Sequence, residues 1–176
     1  VGAASGGPVL RPRHAARAVR VVLPRALTFF SHLPLWRRLL SELGAKVELA
    51  AESSRGTRER GAALVGAEFC FPVKLAHGQV GEALAESDAD FVLVPRMVAQ
   101  PPAAGQSDTY FCPYVQGFPS VIESAVGHAG DGPQRLLSPT LDQREPMERQ
   151  VEELHRSLGA ALGVTRAQVG EAYRAA

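Results

Sequence analysis

Short apolar runs alternate along the chain with segments whose apolar residues recur at helical spacing. Residues 20–24 and 89–95 are runs rich in Val and Leu that end at proline, which is typical of buried strands. Residues 34–44 begin with proline, end with glycine and carry one apolar face, so we predict a helix there. Residues 46–50 predict another strand. A strand, a helix and a strand with short links predict a parallel βαβ unit.

The same alternation continues to the end of the chain. We expect a short helix over 57–61, helices over 73–86, 115–126 and 147–162, a strand over 135–139 and a last helix from Thr165. The helix over 115–126 is expected to be interrupted near Gly117 and Pro119. Residues 96–110, rich in Pro, Ala and Gly, predict a loop. The whole pattern predicts an α/β fold, a parallel sheet with helices on both faces, flavodoxin-like or Rossmann-like.

Composition and charge exclude several classes of function. The 176 residues suit one domain, and the net charge of +1 at pH 7 favours no nucleic-acid partner. No apolar run is long enough for a membrane helix, and the small, polar first residues predict no signal peptide. We expect residues 1–17 to be a flexible tail or linker, and residues 18–176 to be a single cytoplasmic domain excised from a longer multidomain protein. No Gly-x-Gly-x-x-Gly turn follows the first strand, which argues against a standard dinucleotide site.

The only two cysteines are the strongest chemical candidates. Cys70 and Cys112 each lie in a turn rich in aromatic residues and proline, where we expect an extended segment to meet a helix. The positive end of a helix dipole favours a thiolate, the form that binds soft metals and iron–sulfur clusters. We expect both sulfur atoms to converge at one edge of the sheet, where metal ligation is one of three open interpretations. The others are two inert cysteines buried in the core, which the residue chemistry alone favours, and a disulfide formed by oxidation after purification.

Charged and titratable neighbours surround these turns. Lys74 lies one helical turn after Cys70, where its ammonium group would favour the thiolate or bind a phosphate or CoA group. Arg25 follows the first strand at the same expected edge and suits an anionic group. Each has a plain alternative as a solvated or ion-paired side chain. We expect His77 to be partly buried and bonded to a backbone carbonyl rather than to act as a ligand.

Several motifs occur in the order found in one known family. They are the LPRAL run at 23–27, the LPLW run at 33–36, the EFCFPVKLAHG run at 68–78 and the CPYVQGFP run at 112–119. Together they resemble the uncharacterised domain found beside the ATPase modules of large proteins related to the activase of 2-hydroxyacyl-CoA dehydratases. The resemblance covers residues 19–126, and the two cysteine-containing motifs are its most specific part.

The resemblance implies a redox function. The dehydratase subunits are similar in pattern and hold a [4Fe–4S] cluster on cysteines at strand ends. The expected function is therefore electron transfer from an ATP-driven activase to an iron–sulfur site, with Cys70 and Cys112 as ligands and activase-type ATPase modules of the same polypeptide as partners. A cubane cluster usually takes four thiolates, so a homodimer or cysteines elsewhere in the parent protein would supply the rest. Lys74 and Arg25 would set the local field or bind an anionic group.

Two other functions fit the same residues. The first is a non-catalytic structural or interaction domain of a multidomain ATPase protein, with its cysteines retained only in packing. The second is a hydrolase or transferase in which Cys70 is the nucleophile and His77 the base. Those two residues lie seven positions apart on the predicted helix. Seven residues span roughly 10 Å along a helix axis, which is unfavourable for a direct hydrogen bond.

Overall fold

The computed structural model describes residues 17–105, 107–127 and 132–176. The elements follow one another as β1 (Arg20–Leu23), α1 (Phe29–Glu42), β2 (Lys46–Leu49), α2 (Arg55–Leu64), α3 (Phe71–Glu86), β3 (Phe91–Leu93), β4 (Arg96–Ala99), α4 (Pro113–Val126), a 3-10 turn (Pro133–Arg135), β5 (Leu136–Leu137), β6 (Thr140–Asp142), α5 (Met147–Leu162) and α6 (Arg166–Ala175). The tail predicted over 1–17 lies outside the described residues except for Arg17, whose Nη2 lies 2.9 Å from Asp90 Oδ1. Among the described residues, no helix is both long and apolar enough to cross a membrane.

Four parallel strands form the main sheet, in the order β2-β1-β3-β5. Arg20 of β1 lies opposite Lys46 of β2, and the other side of β1 pairs with β3. The chain therefore builds the sheet first on one side of β1 and then on the other, as flavodoxin-like and Rossmann-like folds do. The α/β prediction with a parallel sheet is confirmed.

The residues of β1 alternate between two apolar cores. Val21 and Leu23 belong to the core that contains residues of α1, α5 and α6, whereas Val22 belongs to the core that contains residues of α3 and α4. Successive side chains of a strand point to opposite faces, so one strand contributes to both cores. The predicted helices on both faces are therefore present. Burial of both faces also explains why β1 is almost wholly apolar.

The first helix is longer than its sequence pattern predicts. α1 begins at Phe29, before the predicted start at Pro34, and Pro34 lies inside the helix. Phe29 and His32 of the added turn are buried. The free energy gained by burying them outweighs the loss of the backbone hydrogen bond that Pro34 cannot donate. The predicted end is confirmed, because Gly44 follows the helix with a φ of 79°, a conformation that favours glycine.

The chain after β3 is more regular than predicted. The loop predicted over 96–110 begins instead with β4, which pairs in parallel with β6 in a second, two-stranded sheet. Met97 and Ala99 of β4 are fully buried, whereas Val98 between them is only partly buried. This alternating burial is typical of a strand. The sequence does not predict it, because the run is only four residues long and is followed by several Pro and Gly residues.

The remaining helices largely match the prediction. α4 runs without a break through Gly117 and Pro119, so the predicted interruption is wrong. Pro119 and Ile122 are buried, and their packing keeps the helix continuous. α6 begins after Thr165, whose side chain accepts a hydrogen bond from the backbone of Gln168 in the predicted capping box.

Candidate functional site

Both cysteines lie where helices begin. Cys70 is the N-cap of α3 and Cys112 is the N-cap of α4, and a proline lies in the first turn of each helix. Neither side chain makes a capping hydrogen bond. Both thiols are free and both residues are exposed. The prediction that each cysteine opens a helix is confirmed, and the alternative that both are buried in the core is wrong.

Four rings, which we call the aromatic cluster, join the two cysteine turns: Phe69, His77, Tyr114 and Phe118. Phe69, next to Cys70, makes an edge-to-face contact with Tyr114, with 5.6 Å between ring centroids. Phe69 also stacks on His77 at 5.8 Å, and His77 contacts Phe118 at 5.2 Å. These distances are typical of favourable aromatic pairs. The aromatic cluster therefore packs the Cys70 turn and the start of α3 against the start of α4. That the two sulfur atoms converge at one edge of the sheet stays a prediction.

His77 is a structural member of the aromatic cluster. It is fully buried, and its Nδ1 lies 2.8 Å from the carbonyl oxygen of Val73, one turn earlier in α3. Burial holds the pKa of His77 below its usual value, so the ring is neutral near pH 7 and its Nδ1–H donates this bond. The prediction of a backbone-bonded histidine is confirmed. Because His77 is buried and bonded to Val73 while Cys70 is exposed, the structure gives no support to the nucleophile–base hypothesis.

Lowering the pH from 7 to 5 is expected to lower the free energy of unfolding. His77 and His32 both have pKa values held down mainly by burial, so the unfolded chain takes up protons first. The stability that the two neutral histidines contribute is fully present above the unfolded pKa of about 6.5. Below that pH, each histidine lowers the free energy of unfolding by up to about 1.4 kcal/mol per pH unit, until its folded pKa is passed. Urea denaturation across this range measures the slope. His77→Gln should reduce this slope. His155→Gln, at a residue of α5 that is only partly buried, serves as the control. Equal slopes for the two variants would contradict the role given to the buried His77.

Lys74 is held by an acidic side chain near Cys70. Its Nζ donates a hydrogen bond of 2.8 Å to Glu68 Oε2, and this bond lowers the pKa of the Glu68 carboxyl. The ion pair spans the Cys70 turn from the segment before it to the first turns of α3. Glu68 is 95% exposed, so the pair is open to solvent and weak on its own. A role for Lys74 toward a thiolate or an anionic group stays a prediction.

Arg25 links the loops that follow β1 and β2. Its Nε donates to the carbonyl oxygen of Ala50 at 2.8 Å, and its Nη1 lies 3.5 Å from Glu52 Oε1. The backbone N–H of Arg25 donates to the side-chain oxygen of the buried Gln79, which in turn donates to Ser53 Oγ at 3.0 Å. Part of the Arg25 guanidinium group therefore binds the loop after β2. A role for Arg25 in binding an anionic group stays a prediction.

The Cys112 turn is fixed by contacts that the sequence pattern does not predict. The guanidinium carbon of Arg144 lies 3.9 Å from the centre of the Tyr110 ring, and Asp142 holds Arg144 through two side-chain hydrogen bonds of 3.1 and 3.0 Å. Gln116 closes the turn from within by donating to the carbonyl oxygen of Phe111 at 2.7 Å. The closeness of Tyr110 and Arg144 depends on the pairing of β4 with β6, which no local motif reveals.

The described residues contain no complete metal site. Nowhere in 17–105, 107–127 and 132–176 do three or more His, Cys, Asp or Glu side chains lie together so as to hold a metal ion. The two exposed thiols fit a soft metal or an iron–sulfur cluster in their chemistry, since both are free and both lie at helix N-termini. A complete centre needs further ligands.

Fold and site together define a parallel α/β domain that presents two exposed thiols at the starts of neighbouring helices. The chain belongs to the CoA enzyme activase uncharacterised domain family (DUF2229), whose model matches residues 20–176. The activase-related resemblance is thereby confirmed, and it extends through α5 and α6. Searches of curated proteins and of solved structures give no significant match.

Proposed function

We propose that the domain supplies Cys70 and Cys112 as thiolate ligands of an iron–sulfur cluster and takes part in electron transfer of the acyl-CoA dehydratase and activase type. One observation supports this most strongly: two exposed cysteines cap neighbouring helices whose flanking rings, Phe69 and Tyr114, are in contact. When bound, such a cluster supplies one-electron chemistry. The N-termini of α3 and α4 favour the negative charge of the thiolates, and Lys74 adds a cation near Cys70.

Two thiolates leave the cluster incomplete, since a cubane cluster usually takes four. The remaining ligands come from a second copy of the domain or from cysteines elsewhere in a longer polypeptide. Two large side chains beside the thiols support a contact of this kind: Phe71 is 60% exposed and Tyr114 is 50% exposed. Exposed aromatic residues are enriched where protein surfaces meet. Family membership supports activase-type ATPase modules as the neighbouring partner.

Anaerobic reconstitution with iron and sulfide tests the proposal. The full-length polypeptide is expected to gain a broad visible absorption band together with iron and acid-labile sulfide. Cys70→Ser and Cys112→Ser should each lower the bound iron, and the double variant should abolish it. Ala160→Ser, on the exposed surface of α5, is the matched control, because it introduces the same polar side chain away from the two cysteine turns and leaves both thiols in place. Thermal unfolding of each variant checks that the fold is intact.

The stoichiometry identifies the source of the other ligands. One cluster per two chains, with a dimer in sedimentation, indicates that a second copy completes the site. One cluster per chain indicates further cysteines of the same polypeptide. Iron that stays bound in the Cys70→Ser, Cys112→Ser double variant, or the absence of iron in the strictly anoxic full-length protein, would refute the cluster assignment.

The second candidate function is an interaction domain without a cofactor. The exposed rings of Phe71 and Tyr114 favour it, because they form part of a surface that a partner module would cover whether or not iron is present. In that case, Phe71→Ser would weaken association with the activase-type modules while the two cysteine variants would not. Under the cluster proposal, the two cysteine variants lower the iron content.

A further inference from the structure

An apolar cavity lies at the carboxyl ends of β1 and β3. Its volume is about 40 Å³. The walls come from the segments that follow these strands and from α1, α3 and α4, and they include Ala26, Leu33, Val115 and Phe118. Neither cysteine lines the cavity, although Phe118 of the aromatic cluster forms part of its wall.

The position of the cavity follows from the order of the strands. The chain leaves β1 through α1, whose residues belong to one core, and later reaches α4, whose residues belong to the other core. The helices therefore diverge above the junction of β1 and β3 and leave a crevice there. In open α/β sheets, ligands bind in this crevice beyond the carboxyl ends of the strands. The cavity thus lies where the fold by itself creates a binding site.

One polar group in the cavity wall has no partner. Trp36 lines the cavity and is only 3% exposed. Its Nε1–H is buried and makes no hydrogen bond to any residue that the structure describes. Buried N–H groups without a partner are rare and destabilising in folded proteins. A ligand with a hydrogen-bond acceptor within reach of Nε1 would satisfy this donor.

The backbone beside the cavity is strained. Leu27 also lines the cavity and adopts a φ of 54°, in the left-handed region. A branched side chain rarely adopts this conformation, which is usually held by glycine or asparagine. Such residues cluster at ligand-binding and active sites, where the surrounding structure maintains them. The strained loop and the unpartnered indole are independent observations at the same place.

We propose that this cavity binds a short neutral carbonyl group, whose oxygen accepts a hydrogen bond from Trp36 Nε1 and whose alkyl part contacts the apolar walls. The size sets the limit: a water-sized probe occupies about 10–15 Å³, so the cavity holds about three or four non-hydrogen atoms. A carboxylate is excluded, because the walls offer no charged partner to an ion that would lose its water. This inference goes beyond the thiol site and requires no metal.

Acetone is a probe of matching size, and Trp36 reports its binding directly. Trp36 is the only tryptophan, so the indole N–H gives a single resonance in the amide spectrum of labelled protein. Acetone should move this resonance downfield to a saturating value. Xenon fills apolar cavities but accepts no hydrogen bond, so it should shift the methyl resonances of Leu33 and Val115 without moving the indole proton downfield. An indole resonance that acetone leaves unmoved would overturn the proposal.

Two variants separate the hydrogen bond from the space. Trp36→Phe keeps an aromatic ring and removes the donor, and it should weaken acetone binding about fivefold when the methyl resonances are followed, as loss of one hydrogen bond predicts. Ala26→Leu fills the cavity and should abolish binding. Ala63→Leu, on the exposed surface of α2, is the matched control and should leave binding unchanged. Equal acetone binding by Ala26→Leu and the unsubstituted protein would refute the site.

A longer methyl ketone distinguishes two sources of the carbonyl group. 2-Octanone carries the same end on a longer chain. Binding tighter than that of acetone supports the site as one for the carbonyl end of a larger molecule, whereas weaker binding supports a free small ketone or aldehyde. The ketone titrations use protein without iron. A negative result in them therefore does not affect the cluster proposal, and a negative result in the iron reconstitution does not affect the ketone site.

Discussion

Replacing Gly61 or Gly78 with alanine is expected to destabilise the domain by about 3 kcal/mol, the upper part of the range for overpacking. α2 and α3 pack closely at these two glycines. A Cβ on Gly61 would lie 2.1 Å from the carbonyl oxygen of Lys74, and a Cβ on Gly78 would lie 1.9 Å from that of Thr57. Both oxygen atoms belong to the backbone, so no side-chain rotation relieves the clash and the helices must separate.

Gly117→Ala is the matched control for these two substitutions. Gly117 lies inside α4, and a Cβ there would have no atom within 4 Å. Alanine should therefore stabilise the helix by about 0.5–1 kcal/mol. Urea denaturation gives all three values, and a similar change at all three positions would contradict the close-packing explanation. The result also concerns the two cysteine turns, because Cys70 is the N-cap of α3 and the first turns of α3 lie against Gly61.

Arg135→Met is expected to lower the free energy of unfolding by about 2–3 kcal/mol, because three carbonyl groups lose a charged donor. The guanidinium group donates to the carbonyl oxygens of Leu84 at 2.6 Å, Ser87 at 3.3 Å and Ala89 at 2.7 Å. These carbonyls lie at the end of α3 and in the link to β3, where helix carbonyls have no partner within the helix. Arg135 thus ties the 3-10 turn before β5 to the end of α3.

Arg37→Met removes an arginine of the same size from the exposed side of α1 and should change the free energy of unfolding by no more than about 0.5 kcal/mol. Arg135→Lys should give an intermediate loss, because one ammonium group cannot span three carbonyls in the way a planar guanidinium does. Thermal and urea denaturation compare the three variants. A loss for Arg135→Met no larger than that for Arg37→Met would show that these hydrogen bonds contribute little.

Local patterns predict the parts of the fold that depend on neighbours in sequence. The apolar run of β1 and the alternation of strands with helices give the parallel sheet, and Gly44 and the Thr165 capping box mark helix ends correctly. The prolines that follow Cys70 and Cys112 likewise mark helix starts. Each of these features depends on backbone preferences or on the period of apolar residues, and both act over a few positions.

Contacts between distant segments escape such patterns. The strand β4 is too short to stand out, and it forms because β6 pairs with it across more than forty residues of chain. The same pairing brings Arg144 to the ring of Tyr110. The sequence predicts Gly78 inside a helix and Gly61 at the end of one, and the structure places both inside helices, where glycine is unfavourable. Only the packing of α2 on α3 gives the reason for these glycines.

The sequence by itself determined that this is a parallel α/β domain with two cysteines at helix starts, because strand burial, proline and glycine act on the backbone locally. Only the tertiary structure decided that both thiols are exposed, that Phe69 and Tyr114 join their turns and that His77 is buried among aromatic rings. It alone also revealed the cavity beside Trp36. Exposure, ring contacts and cavities are properties of how helices pack, and packing depends on segments that lie far apart in the chain.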